Sequence, residues 1–85
     1  DTVSEREIEV HYFAGLIDLA GVRQERFQDV TDLEGLKEAI VERHGPGIEK
    51  SIAVSSFMAD GERLKNCQSL EEVTKVEALP PFAGG

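Results

Sequence analysis

One stretch of this chain can form a long helix, and it limits the architectures open to the rest. Leu33, Leu36 and Ile40 recur at helical spacing, with Ala39 and Val41 beside them. Glu34, Lys37, Glu38 and Glu42 fill the opposite side. An apolar stripe of this kind needs a surface to cover. Thr31 and Glu34 stand at the spacing of a capping box and predict the helix start. Gly45-Pro46-Gly47 stops the helix, and His44 falls in its last turn, where an imidazolium would meet the negative helix end. Gly35 in the first turns costs about 1 kcal/mol relative to alanine, and the sequence offers no reason for it.

The surface to be covered is a sheet. Glu7 to Phe13 alternates, with Ile8, Val10 and Tyr12 on one face and Glu7, Glu9 and His11 on the other, which predicts a half-buried strand. His11 is expected at solvent or at the sheet edge. Ala14 to Ala20 reads as a short helix or helical turn ended by Gly21. Arg23 to Asp29 alternates around Phe27 and should pair antiparallel with the first strand. Ser51 to Met58 is expected as a strand with Ile52 and Val54 turned inward. Asp60-Gly61 is a two-residue hairpin signal, so Glu62 to Lys65 should return as a short strand. Asn66 to Glu72 reads as an irregular link, and Val73 to Leu79 as the last strand. A single long helix across a mixed sheet defines an α+β domain. The 85 residues are enough for one small domain, read as residues 1–79, with 1–6 a mobile lead-in and 80–85 an extended tail.

Composition removes several classes of function. A formal net charge of −8 argues against nucleic acid or an anionic membrane as partner, and suits docking onto basic protein surfaces. No run is long enough to span a membrane, and no signal peptide is expected at the polar, acidic start. Cys67 is the only cysteine, so no intrachain disulfide and no metal spacing exist. It reads as an incidental thiol that fits a reducing, cytoplasmic setting. The acidic residues show no paired arrangement for acid–base chemistry. Gly45-Pro46-Gly47 lacks the Lys-Ser/Thr that a phosphate-binding glycine loop requires.

The tail Pro80-Pro81-Phe82-Ala83-Gly84-Gly85 is unlike the rest. Adjacent prolines fix φ and remove two backbone donors, so the segment can continue neither ladder nor helix. It leaves the body as a stiff extended spacer reaching at most roughly 20 Å. Phe82 is its one large apolar group and can anchor in a partner pocket. Gly84 and Gly85 have no Cβ, so a narrow channel can close on the backbone, and Gly85 presents an unhindered carboxylate. Such a carboxylate becomes an acyl donor once it is activated to an acyl-adenylate.

Leu79-Pro80-Pro81-Phe82-Ala83-Gly84-Gly85 resembles the C-terminus of the small, sulfur-carrying subunit of molybdopterin synthase. Ile8-Glu9-Val10-His11-Tyr12-Phe13-Ala14 resembles that family's first strand and its exit, and Ala20-Gly21-Val22-Arg23 the turn into its second. The resemblance implies the ubiquitin-like β-grasp fold, with first and last strands central and parallel. It implies that no cofactor is bound by the chain itself. An activating enzyme would use Mg-ATP to adenylate Gly85, and a sulfur donor would convert it to a thiocarboxylate. The large subunit, in a two-plus-two heterotetramer, would then take the tail to the pyranopterin precursor. Gly85 would carry the sulfur, Gly84 allow passage, and Pro80, Pro81, Phe82 and Ala83 guide and anchor. Phe57 or Leu64 would extend the partner surface, although both residues would serve equally well in the core.

Two departures touch partner choice and a local turn. Ser55 stands where the family often has Asn, and Leu70 to Val76 replaces its Gly-Asp-Glu turn. Sulfur carriers of the thiamin, cysteine and tRNA-thiolation pathways share the fold and the Gly-Gly end. A protein modifier joined to lysine through Gly85 is a further reading, and a plain interaction domain with an inert tail another.

Overall fold

A computed structural model of the chain describes residues 7–81. Strand β1 (Glu7–Tyr12) leads into helix α1 (Gly15–Ala20), strand β2 (Gln24–Gln28) and helix α2 (Leu33–His44). A 3-10 turn (Pro46–Ile48), helix α3 (Glu49–Val54) and strands β3 (Ser56–Ala59), β4 (Glu62–Arg63) and β5 (Lys75–Leu79) follow. The sheet runs β2-β1-β5-β3-β4. Val10 sits opposite Val76 in the parallel β1–β5 pair, while β1–β2, β3–β5 and β3–β4 are antiparallel. This is the expected mixed sheet with the first and last strands central.

The core lies between one face of the sheet and the helices. Ile8, Val10, Tyr12, Phe27, Phe57, Val76 and Ala78 come from the strands, and Leu16, Leu33, Leu36, Ile40, Ile48 and Ile52 from the helices and the turn. The alternation read in β1 therefore separates core from open face. At the hairpin, Asp60 (φ 53°) and Gly61 (φ 80°) both take positive φ, as a twist-matched two-residue loop requires.

Several expectations are corrected. Helix α2 is capped by Asp32, whose Oδ1 accepts from Gly35 N at 2.8 Å; Thr31 does not cap it. The Thr31 carbonyl instead accepts from Leu70 N, and Asp32 bridges Ser69, so residue 31 belongs to an extended segment tied to the later link. The cap also accounts for Gly35: a Cβ there would stand 3.0 Å from Asp32 Oδ1.

The strand expected over Ser51 to Met58 is a helix for its first part, and β3 starts at Ser56. Pro46 opens the 3-10 turn, which runs straight into α3. Ile48 and Ile52, four residues apart, both face the core, the helical and not the strand period. Ile52 is inward as expected, but Val54 is 60% exposed. Strand β4 ends at Arg63 rather than Lys65. Val73 sits in a turn, its N–H donating to Leu70 O, so β5 begins at Lys75. His11 is not at an edge: β1 is interior, and His11 stands on the open face between Gln24 and Glu77.

Candidate functional site

Strand β5 is the element from which the tail departs, and its neighbours hold it from both sides. Phe13 N donates to Ala78 O at 3.2 Å, and Ser56 lies opposite Leu79. Leu79 and Pro80 are half-buried and Pro81 is exposed, so the chain emerges from the sheet at the proline pair. The expected roles of Phe82, Ala83, Gly84 and Gly85 fall outside the described residues, as does the lead-in at 1–6.

Apolar side chains that sequence reasoning did not assign to the surface flank this exit. Phe13 is 40% exposed directly beside Ala78, and Val54 lies two residues before Ser56. Val22 is exposed next to Arg23, whose carbonyl accepts from Tyr12 N. Phe57 and Leu64 do not extend a partner surface: they are 1% and 7% exposed and belong to the core. The signal for Phe13 lay in the sequence, because it stands one residue past the buried alternation of β1. Val54 becomes visible only once residues 49–54 are known to be helical.

Below the exit, on the helix side of the sheet, a hydrogen-bonded cluster joins three elements. The Glu25 carboxylate accepts from Tyr12 Oη at 2.5 Å and lies 2.5 Å from His44 Nε2. Arg43 Nη1 reaches Glu25 at 3.2 Å and also donates to the Arg26 carbonyl at 3.0 Å, with its guanidinium 4.0 Å from the Phe27 ring centroid. Burial pushes the Glu25 carboxyl up, but the bonds from Tyr12, His44 and Arg43 outweigh it and hold the group below its ordinary value. Burial and the adjacent carboxylate push the Tyr12 phenol well up. His44, expected only to complement the helix end, thus pins the C-terminus of α2 to β1 and β2.

Cys67 is exposed and free. Among the described residues, no group of His, Cys, Asp and Glu is arranged to hold a metal ion, and no helix is long and apolar enough to cross a membrane. What the arrangement offers chemically is presentation: a central strand, paired on both sides, that leads out of the sheet to Pro80 and an exposed Pro81.

No protein-family model matches the sequence, and no curated protein matches it. Solved structures do. SAMP1 of Haloferax volcanii, a small archaeal modifier protein, superposes with a TM-score of 0.78 at 22% identity, over 93% of this chain and 99% of its own. A Pyrococcus furiosus protein assigned as subunit 1 of molybdopterin converting factor gives 0.77 at 23%, over 91% and 99%. A chain from the complex of subunits 1 and 2 of that factor from Helicobacter pylori 26695 gives 0.63 at 21%, over 93% and 99%. At these identities the likeness speaks to fold. The fold is the ubiquitin-like β-grasp, the one that the resemblance implied, and it is shared with small modifier and molybdopterin-factor proteins.

Proposed function

We propose that this chain is a sulfur carrier of molybdenum cofactor biosynthesis. The observation that carries the reading is the run of β5, a buried central strand, into Pro80-Pro81 and the terminal Gly84-Gly85. The fold likeness to a molybdopterin converting factor subunit supports it. In this reading the Gly85 carboxylate attacks ATP, held with Mg by an activating enzyme, and releases pyrophosphate. The terminal sulfur of a donor protein's persulfide displaces AMP from the acyl-adenylate to form an acyl disulfide, and a thiol reduces that S–S bond, forming a disulfide with the donor's cysteine and leaving a thiocarboxylate. The large subunit of molybdopterin synthase, two copies with two of this chain, takes the tail into its active site, and the sulfur passes to the pyranopterin precursor. The chain does not catalyse a reaction alone, and it works in the cytoplasm, where Cys67 stays a thiol.

The Helicobacter pylori complex of subunits 1 and 2 supports a large-subunit partner. Phe13, Leu79, Pro80 and Val54 are the apolar groups such a partner would cover at the exit. A protein-modifier reading is favoured by the likeness to SAMP1. It shares the adenylation step and differs in the acceptor, a lysine amine.

Intact mass after incubation with an activating enzyme, Mg-ATP and a sulfur donor tests the proposal, with a Gly85-deleted chain as control. The expected result is the exchange of one oxygen for sulfur in the full chain only. An unchanged mass, with the enzyme active on its own carrier, removes the molybdopterin assignment. Adducts on target lysines that need Gly85 would replace it with the modifier reading.

A further inference from the structure

The chain carries seventeen carboxylate side chains against nine lysines and arginines, yet one concavity reverses that balance. A pocket of about 360 Å3 lies between α2, the end of α3 and the β3–β4 hairpin. Lys37, Arg63 and Lys65 line it, and no Asp or Glu does. Lys37 Nζ is fixed there, 2.6 Å from Asn66 Oδ1 and 5.3 Å from the Phe57 ring centroid, both residues being walls of the same pocket. None of the ion pairs among the described residues involves these three cations. All three line one pocket that no carboxylate lines, an arrangement suited to an anionic ligand.

The neutral donors agree with the charge. Asn66 receives Lys37 through its carbonyl oxygen, which leaves its amide N–H groups to donate. Ser56 adds a half-buried hydroxyl at the same wall. A guanidinium together with ammonium groups suits phosphate oxygens, the first through its fork of donors and the others as point charges. A single carboxylate would be matched by one such cation, whereas three call for a multivalent anion. The volume lies in the range of small-ligand pockets, roughly 300–1,000 Å3.

We propose that this pocket is a phosphate-binding site that takes a phosphate monoester or a polyphosphate. Ser56 lies opposite Leu79, so a ligand bound there sits beside the strand that carries the tail. The site does not depend on the carrier reading, and either can fail without the other. The overall charge of −8 sharpens the test, because the long-range field repels anions and only a local site can hold one.

The experiment titrates the full chain with pyrophosphate, orthophosphate, metal-free ATP and a polyglutamate peptide, each against chloride at matched ionic strength, and follows backbone amide shifts. Saturable shifts at Ser55, Ser56, Lys65 and Asn66 with the phosphate compounds are expected. A Lys37→Gln/Lys65→Gln variant should bind about ten-fold or more weakly, the scale of lost charge-assisted hydrogen bonds. A Lys50→Gln/Lys75→Gln variant, whose cations lie outside the pocket, should bind as the parent does. The dispersion of each amide spectrum reports folding, and Arg63→Gln/Lys65→Gln, at two exposed positions, serves if the Lys37 change unfolds the chain. Shifts spread equally over Lys50 and Lys75, or binding that survives loss of the pocket cations, would overturn the proposal. A response to polyglutamate matching that to pyrophosphate would also overturn it, in favour of a partner's acidic segment.

Discussion

The two flanks of β5 hold the same strand in different ways. On the β1 side the pairing is parallel and the residues beneath it are apolar, from Val10–Val76 to Tyr12–Ala78. The Tyr12–Glu25–His44 cluster then ties that flank to α2. On the other side β3 is short, its partner β4 spans only Glu62–Arg63, and a cation-lined pocket opens beside the hairpin. One flank spends its polar groups on each other. The other leaves Lys37, Arg63 and Lys65 without a carboxylate. The contrast lies in the polar groups: both flanks pair with the strand, but only the β3 side has cations to offer to something else.

That contrast can be broken by substitution. The largest effect is expected from Phe57→Ala. Phe57 is a core residue of the β3 flank, so its loss should cost about 3–5 kcal/mol, read as a fall in the denaturant midpoint. A change near zero would return Phe57 to the surface role first expected of it. Next comes Glu25→Gln on the β1 flank, which removes the charge that Tyr12, His44 and Arg43 converge on. A loss of about 1–2 kcal/mol at neutral pH is expected, moderated by the solvent access of Arg43.

The pH dependence of that variant is a sharper readout. Because the native Glu25 carboxyl lies below its ordinary value of 4.5, its contribution is present above pH 4.5 and is lost as pH falls through the native value. Thermal melts of the parent from pH 6 to 3 should therefore converge on those of Glu25→Gln. Parallel curves would show that the cluster does not titrate as described.

Asp32→Ala removes the cap of α2 and should cost about 1 kcal/mol. In that background Gly35→Ala should recover more stability than it does in the parent, since the new Cβ no longer meets Asp32 Oδ1. Equal effects in both backgrounds would separate the glycine from the cap. The smallest effect is expected from Phe13→Ala: within about 0.5 kcal/mol on stability, but a measurable loss in capture by a partner that receives the tail. A large loss of stability there would make Phe13 part of the core and not of the exit.

Much of this was legible in the chain. The period of Leu33, Leu36 and Ile40, the alternation of Ile8, Val10 and Tyr12, and Asp60-Gly61 each act over a few residues, and each produced its element. Legibility failed where a segment was too short to show a period. Over residues 51–54, Ile52 and Val54 fit a strand, while Ile48 and Ile52 fit a helix. The core accepted the second pair, and Pro46 had already started the turn. The cap failed for a related reason. Thr31 and Asp32 are adjacent and both able to cap, and the bonds from Leu70 N to the Thr31 carbonyl and from Leu33 N to the Gln68 carbonyl decided between them.

The exit was legible as far as Pro81, because a double proline ends a ladder wherever it stands. Its surroundings were not. Phe13 and Val54 come beside Leu79 only because β1 and β3 flank β5, and nothing local brings Glu25 to His44. By itself the sequence determined that β1, α2 and the β3–β4 hairpin form, which positions are apolar, and that the last ladder stops at Pro80-Pro81, since these follow from backbone sterics and hydrophobic period. Tertiary structure alone decided that residues 49–54 became helix, which capping residue was used, and which cations came to line one pocket without a carboxylate. Those outcomes depend on contacts between distant residues, and the energies that choose among them exist only once the sheet has formed.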